Sequence, residues 1–316
     1  MNHLPFYKFP STIVLIDDIE TTVEEVAKLF EDEPLRTKVF TDQHEALAFI
    51  NRTAGSPGPT ERFQEALANY DNLFLCHEQI YVKERFNQIS CVVVDYDMPG
   101  MNGLELCEKI TDKRIKKILL TGVADEQVVI NAFNRGLIDY FIRKHDQNSP
   151  QLVIDFVQDA INRFFYDLTW SFVDTAINQS SWVYSPLKDP KYHTFFSQFI
   201  RDQKIVEYYL LDISGAFLLV DTENNIKIMQ TFTPDLLDQH VAELTETYQW
   251  STLEDDCKQA ILKHEQVLCT SPLMGKEDPE YVKVPLQLVC DDLKLFVAIF
   301  DSVNLEISKI NFFSQS

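Results

Sequence analysis

Glycine and basic side chains are scarce in this 316-residue sequence, which has eight glycines and 28 lysines and arginines against 49 aspartates and glutamates. The few glycines exclude collagen-like repeats and glycine-rich linkers, and no phosphate-binding loop motif is present. The formal net charge of −21 repels nucleic acid backbones and anionic lipid surfaces. Nucleic acids and membranes are therefore disfavoured as partners.

Long hydrophobic runs and closely spaced cysteines are also absent. No apolar run approaches the ~18 residues needed to cross a bilayer, and residues 1–10 lack the pattern of a signal peptide. The cysteines form no C-x-x-C motif, so we expect buried free thiols rather than disulfides or a zinc site. These features predict a soluble, cytoplasmic protein. The six cysteines are Cys76, Cys91, Cys107, Cys257, Cys269 and Cys290.

The length of the chain exceeds what one hydrophobic core usually serves, and 45% of its residues are hydrophobic. We therefore expect two folded domains. The first domain is predicted over 1–147, with an insertion near 51–86. A long connecting helix is predicted over 148–179, and a second domain over 180–316.

Short apolar runs alternate with segments of helical periodicity in the first domain. Repeated strand–helix units of this size predict an α/β fold with a doubly wound, five-stranded parallel sheet. The predicted strands are Ser11–Ile16, Lys38–Phe40, Cys91–Val94, Ile118–Thr121 and Tyr140–Ile142. The predicted helices are Thr21–Phe30, His44–Ile50, Leu104–Ile110 and Asp125–Asn134.

Polar side chains close four of these strands: Asp17 and Asp18 the first, Asp95 the third, Thr121 the fourth and Lys144 the fifth. Because parallel strands end at one edge of a sheet, we expect these groups to converge there. Clustered carboxylates resist ionisation unless a cation is near, and Mg²⁺ prefers carboxylate oxygens. Solvation explains a single acid at a strand end, but five groups together predict a phosphoryl acceptor site. Asp95 would be its nucleophile and form an acyl phosphate.

The segment from Asp95 to Gly103, D-Y-D-M-P-G-M-N-G, closely resembles the D-x-x-M-P-x-M-x-G signature of two-component response-regulator receiver domains. The resemblance extends over about residues 11–147 and implies a CheY-like receiver. It implies that Asp95 accepts phosphate from a sensor histidine kinase or a phosphotransfer protein. It also implies that the chain catalyses its own phosphorylation and slow dephosphorylation but is not an enzyme on an external substrate.

The same resemblance implies a magnesium site. Asp18 and Asp95 would bind Mg²⁺ directly, together with the backbone carbonyl of Asp97. Asp17 would act through a water molecule.

The family pattern also gives roles to three residues on the later strands. Lys144 would contact the phosphoryl oxygens, Thr121 would be drawn to the phosphate, and Phe141 matches the aromatic switch position. The chain departs from the pattern at His145, where the family usually has proline, and Arg143 is a rival for the cation role of Lys144. Val123 lies two residues after Thr121, and the family pattern does not predict from it whether the phosphate is long-lived.

The insertion near 51–86 begins with a loop signal and continues with helical spacing. A longer second helix and loop is the simpler interpretation, and an added partner surface is the alternative.

Gln151–Asn178 contains neither glycine nor proline, and its apolar residues recur at helical spacing. Such a helix could extend roughly 40 Å. A receiver domain needs about half of it, so the rest presents a broad aromatic stripe. This stripe could pack on the second domain, or residues 151–178 could form a homodimer.

The second domain alternates helices with short strands and hairpin turns, which predicts an α+β fold with an antiparallel sheet. Residues 180–316 contain 11 basic and 21 acidic side chains and no basic recognition helix. An output through dimerisation or protein contacts is therefore favoured. The alternative is an output that binds a small ligand or nucleotide, with or without catalysis, and a DNA-binding transcription factor is least favoured. The chain also resembles acidic, atypical-output regulators of the Legionella quorum-sensing type.

Overall fold

The structure, a computed structural model, divides into two compact units. The parallel-sheet unit comprises residues 4–54, 79–172 and 311–314, and the antiparallel-sheet unit comprises residues 77–78 and 173–310 where they are described. The structure describes residues 4–54, 77–122, 126–179, 186–246, 248–268, 283–290, 294–301 and 305–314.

The parallel-sheet unit alternates strands and helices. Its strands follow the order β2-β1-β3-β4-β5 across one sheet, and every neighbouring pair is parallel. The predicted doubly wound fold is confirmed. The strands are β1 (Thr12–Ile16), β2 (Arg36–Phe40), β3 (Ile89–Asp95), β4 (Lys116–Thr121) and β5 (Tyr140–Arg143). The helices are α1 (Glu20–Lys28), α2 (Gln43–Ala54), α3 (Gly103–Lys109), α4 (Glu126–Asn134) and α5 (Ser149–Gln179), of which residues 149–172 belong to this unit.

The strands at the centre of this sheet are mostly apolar, apart from the buried Lys116 and Lys117 that begin β4, because helices cover both of their faces. All seven residues of β3 are buried, as are all residues of β1 and β4. Their side chains pack against Ala46 and Ile50 of α2 and Leu106 of α3. Alternation of polar and apolar residues would leave polar groups in this core, so continuous apolar runs are what a two-sided sheet requires.

Helix α5 carries an apolar stripe that is covered within the parallel-sheet unit over much of its length. Phe164 and Phe165 are fully buried, and the Phe165 ring contacts the rings of Tyr7 and Phe9 edge-on. The N-terminal segment is thereby laid along the helix. Tyr7 and Phe9 therefore cover part of the aromatic stripe of α5, for which the sequence predicts a contact with the second domain or with a second copy of the chain.

Residues 311–314 also belong to the parallel-sheet unit, although they follow the antiparallel-sheet unit in the chain. The Asn311 carbonyl accepts a hydrogen bond of 2.7 Å from the guanidinium of Arg85, which is fully buried. That guanidinium lies 4.0 Å from the centre of the Phe86 ring, and Phe313 packs edge-on against the same ring. The unit is therefore built from three separate stretches of chain.

The antiparallel-sheet unit has the α+β organisation that its sequence predicts. Its strands follow one another as β6-β7-β8-β12-β11, with antiparallel pairing, while β9 and β10 form a separate antiparallel pair. The strands are β6 (Ile205–Leu210), β7 (Phe217–Asp221), β8 (Ile226–Phe232), β9 (Gln266–Leu268), β10 (Lys283–Pro285), β11 (Gln287–Cys290) and β12 (Leu295–Phe300). The helices are α6 (Pro190–Asp202), α7 (Pro234–Thr245), α8 (Tyr248–Thr252) and α9 (Asp255–Leu262).

The four cysteines that the structure describes agree with the expectation of buried free thiols. Cys91, Cys107, Cys257 and Cys290 are buried free thiols, whereas Cys76 and Cys269 lie outside the described residues. Within the described ranges, no helix combines the length and the apolar character that crossing a bilayer requires. In the insertion near 51–86, residues 55–76 lie outside the described residues, residues 51–54 form the end of α2, and a short 3₁₀ helix is present at Lys83–Asn87.

Candidate functional site

Four polar residues meet at the carboxyl edge of the parallel sheet. Asp17 follows β1, Asp95 and Thr121 are the last residues of β3 and β4, and Lys144 follows β5. The parallel register aligns these strand ends, with Asp95 opposite Leu120 in β4. The Lys144 ammonium lies 2.6 Å from Asp17 Oδ2 and 2.9 Å from Asp95 Oδ1. The structure therefore brings together the groups that the sequence placed at strand ends.

Asp18 completes an acidic cluster at this edge. Carboxylate oxygens of Asp17, Asp18 and Asp95 lie within 4.8 Å of one another. Asp17 and Asp95 are buried, whereas Asp18 is exposed and accessible to an ion from solvent. Three carboxylates and one ammonium leave an excess of negative charge in a site made of hard oxygen donors. This donor set fits Mg²⁺, which prefers carboxylate and water oxygens.

The electrostatics of the site set the protonation of two of its groups. Burial raises the pKa of Asp95, and the hydrogen bond and charge of Lys144 offset this only in part, while nearby Asp17 raises it further. For Lys144, burial alone would lower the pKa, but hydrogen bonds to Asp17 and Asp95 outweigh it and the pKa is raised. Lys144 is therefore a permanent cation at neutral pH, and Asp95 is a more basic carboxylate than an exposed one.

The loop after Asp95 leads directly into α3. The side chain of Asn102 accepts a hydrogen bond from Glu105 N, and the Glu105 carboxylate accepts one from Asn102 N, so the two residues form a capping box at the helix start. Gly103 opens the helix, and a Cβ at this position would lie 2.3 Å from the carbonyl oxygen of Asp95. Glycine is therefore required here because α3 approaches the backbone of Asp95 too closely for any side chain. The sequence signature contains this glycine, but the reason for it appears only in the structure.

Thr121 and Lys144 are joined through the backbone. The Lys144 amide donates a hydrogen bond of 2.8 Å to the Thr121 carbonyl, and the Thr121 side chain is buried at the site. Arg143, the rival for the cation role, pairs with Thr121 in the sheet register and has an exposed side chain. Phe141, in the aromatic switch position, is 40% exposed.

The exposed His145 ring lies near Gly122, since its Nε2 is 3.7 Å from where a Cβ on that glycine would be. A histidine thus lies at the margin of the site where the family usually has proline. Val123 lies outside the described residues, as does Asp125, the first residue of the predicted fourth helix.

Comparison with known proteins gives a family assignment for this geometry. A family model described as the response regulator receiver domain matches residues 72–153. Among solved structures, the chain is similar to the Legionella pneumophila response regulator LqsR, with 31% sequence identity and a TM-score of 0.78. That similarity covers 99% of this chain and 94% of LqsR, so it includes both compact units.

A curated relative shares a much shorter region. The chain is 39% identical over 70 residues to protein-glutamate methylesterase/protein-glutamine glutaminase 3 of Paramagnetospirillum magneticum. The match covers 22% of this chain and 19% of that relative. The chain therefore corresponds to a small part of the relative's length, and the activities in its name do not transfer on this basis.

Proposed function

Because the chain belongs to the two-component response regulators with a CheY-like receiver domain, we propose that phosphorylation of Asp95 by a histidine kinase or phosphotransfer protein is its input. The observation that carries this proposal is the cluster of Asp17, Asp18, Asp95 and Lys144 at one edge of the sheet. The output would be dimerisation or a protein contact of the acidic antiparallel-sheet unit.

Asp95 has the properties of a nucleophile in this reaction. A carboxylate oxygen of Asp95 would attack the phosphorus of a phosphohistidine, forming an O–P bond as the P–N bond breaks. The electron pair of the broken bond stays on the imidazole, which leaves with a proton from solvent. Burial raises the pKa of Asp95, so the carboxylate is more basic, and hence more nucleophilic, than one in water.

Lys144 and Thr121 would receive the transferred group. The Lys144 ammonium, which now bonds two carboxylates, is close enough to Asp95 to pair with a phosphoryl oxygen there. The Thr121 hydroxyl, at the end of the neighbouring strand, would donate to another oxygen. Together they would offset the charge that the phosphoryl group adds to a buried site.

The acidic residues supply the remaining requirement, a divalent cation. The carboxylates of Asp18 and Asp95 and the backbone carbonyl of Asp97 would hold Mg²⁺, with Asp17 acting through water. Bound Mg²⁺ would neutralise charge on the phosphoryl oxygens and draw Asp95 toward its ionised form.

Radiolabelling with a phosphorylated kinase or acetyl phosphate tests the assignment of Asp95. We expect Mg²⁺-dependent labelling of the wild-type chain and less than one hundredth of it in Asp95→Asn. Asp155→Asn is the matched control, because Asp155 is an exposed residue of α5 whose carboxylate accepts a hydrogen bond from Gln151. Full labelling of Asp95→Asn would show that another residue accepts the phosphate.

A second candidate function for the antiparallel-sheet unit is the binding of a small polar ligand or nucleotide. An open cleft of about 450 Å³ is lined by Asn224, Asn225, Ile226, Lys227, Asp301 and Ile307. Two amides, a cation and a carboxylate offer hydrogen bonds to a polar molecule. A thermal-shift screen of the full chain against nucleotides would support this candidate if Lys227→Ala abolished a saturable shift.

A further inference from the structure

The loop between Asp95 and α3 is held at both of its ends. The backbone amide of its first residue, Tyr96, donates a hydrogen bond of 2.8 Å to the Leu120 carbonyl. The Tyr96 carbonyl accepts a hydrogen bond of 3.0 Å from the Gly103 amide. Met98 and Met101 are buried in the core of the parallel-sheet unit. Pro99 and Gly100, between the two methionines, are exposed, and Gly100 has a φ of +88°. The middle of the loop therefore turns away from the core that anchors its flanks.

Gln43 contacts this middle part from another element. It is the first residue of α2, its side chain is only 8% exposed, and its Nε2 donates a hydrogen bond to the Pro99 carbonyl. Burying a primary amide is costly unless it is hydrogen-bonded, so this contact stabilises one loop position over others.

The start of α2 does not depend on this amide. Asp42 Oδ1 accepts the backbone amides of His44 and Glu45, each at 2.8 Å, which is the usual capping of a helix N-terminus. The Gln43 side chain is thus directed across the sheet edge rather than back to its own helix. If Gln43 served only to form α2, a solvent-exposed side chain at this position would do so equally well.

We propose that Gln43 is a positioning residue of the metal-binding loop. By holding the Pro99 carbonyl, it limits the backbone positions open to Asp97, two residues earlier, whose carbonyl would bind the cation. This inference rests on the proposed function, because it assigns Gln43 a role through that magnesium site. Gln43 itself touches neither the cation nor the phosphoryl group.

Mg²⁺ titration by calorimetry, with Gln43→Leu and Gln43→Glu, tests this role in the full chain. Leucine keeps most of the volume and removes the donor, so we expect its dissociation constant for Mg²⁺ to rise roughly three- to tenfold, the range for one net hydrogen bond. Phosphorylation by acetyl phosphate should slow at low Mg²⁺ and recover at saturating Mg²⁺.

Gln43→Glu separates positioning from simple electrostatics. An added carboxylate near a cation site would tighten Mg²⁺ binding if charge alone mattered, whereas loss of the donor predicts weaker binding at neutral pH. A variant is informative about the role of Gln43 once its circular dichroism spectrum matches that of the wild type. If one of the two variants fails to fold, the other still tests the role.

Gln239→Leu is the control, because Gln239 donates to Glu243 on the exposed face of α7 and should leave Mg²⁺ binding unchanged. If the wild-type chain bound no Mg²⁺, the proposed magnesium site and the role of Gln43 would both be overturned. If the two Gln43 variants bound Mg²⁺ as tightly as the wild type does, only the positioning role would be overturned.

Discussion

Asp95 is a buried carboxyl group with a cation, Lys144, and a second carboxylate, Asp17, close to it. Its pKa in the folded chain is raised, first by burial and then by Asp17, against the opposing effect of Lys144. A carboxyl group with a raised folded pKa favours folding while it is protonated. That contribution is lost as the pH rises through the folded pKa, because ionisation is then easier in the unfolded chain.

Asp95→Asn should therefore raise the thermal stability of the metal-free chain at neutral pH. The increase should shrink as the pH falls toward the range where Asp95 is protonated, and Mg²⁺ should stabilise the wild type more than the variant, which has one carboxylate fewer in the site. Unfolding midpoints measured across pH with and without Mg²⁺ check this. A variant less stable than the wild type at neutral pH would mean that Lys144 outweighs burial.

Gly103 tests the close approach of α3 to Asp95. Gly103→Ala puts a Cβ 2.3 Å from the Asp95 carbonyl oxygen, so we expect a loss of about 2 kcal/mol and slower phosphorylation, since Asp95 must move. Gly136→Ala is the comparison. Its φ of +66° makes alanine strained, at about 1 kcal/mol, but no atom lies within 4 Å of the added Cβ. Denaturant unfolding and labelling rates should separate the two, with phosphorylation unchanged in Gly136→Ala.

The residue pattern places the charged groups and Thr121 at one sheet edge, but it does not point to Gln43, the neutral side chain that contacts the loop after Asp95. Asp17, Asp95 and Lys144 could be found because strand ends of a parallel sheet share an edge. Gln43 carries no such signal, since a polar residue in the first turn of a helix is ordinary. Its partner is the backbone of Pro99, and a main-chain carbonyl leaves no trace in the residue types.

The longest helix, α5, is predicted over 148–179 and extends over Ser149–Gln179. Its periodicity predicted an apolar stripe but could not show what covers it. Tyr7 and Phe9 cover part of it, and they come from an N-terminal segment without helical or strand periodicity. Side chains of Phe172, Val173, Ala176 and Ile177 fall outside the described part, so a dimer contact there stays a prediction.

Phe165→Ala should destabilise the chain by about 3–5 kcal/mol, because the ring is fully buried between Tyr7, Phe9 and Phe164. Phe133→Ala removes the same ring from α4, where the side chain is 50% exposed, and should cost less than about 1 kcal/mol. Chemical denaturation of both variants measures the difference. Equal costs would contradict a core role for the α5 stripe.

For the whole molecule, the net charge of −21 affects how two copies could associate. Copies with the same large charge repel each other, and salt screens that repulsion. If phosphorylation produces a dimer, its affinity should therefore increase with ionic strength, the reverse of binding to nucleic acid.

Light scattering of the phosphorylated chain in low- and high-salt buffers checks this expectation, with Asp95→Asn as the unphosphorylated control. We expect a monomer mass for the control at both salt concentrations, and for the wild type a mass that rises with salt. A dimer that dissociated as salt increased would instead indicate complementary charged patches at the interface.

Arg85 and Asn311 lie 226 positions apart in the chain, yet the Asn311 carbonyl accepts a hydrogen bond from the buried guanidinium of Arg85. At 5–20 residues per second, a ribosome needs roughly 10–45 s to travel that distance. During this interval a nascent chain already contains Asp17, Asp95 and Lys144, but its Arg85 side chain lacks that acceptor and Phe86 lacks the Phe313 ring. A truncated chain that ends within 173–310 would contain the acidic cluster of Asp17, Asp18 and Asp95, but its parallel-sheet unit would lack residues 311–314. We expect proteases and chaperones to recognise this incomplete unit before it could act in signalling.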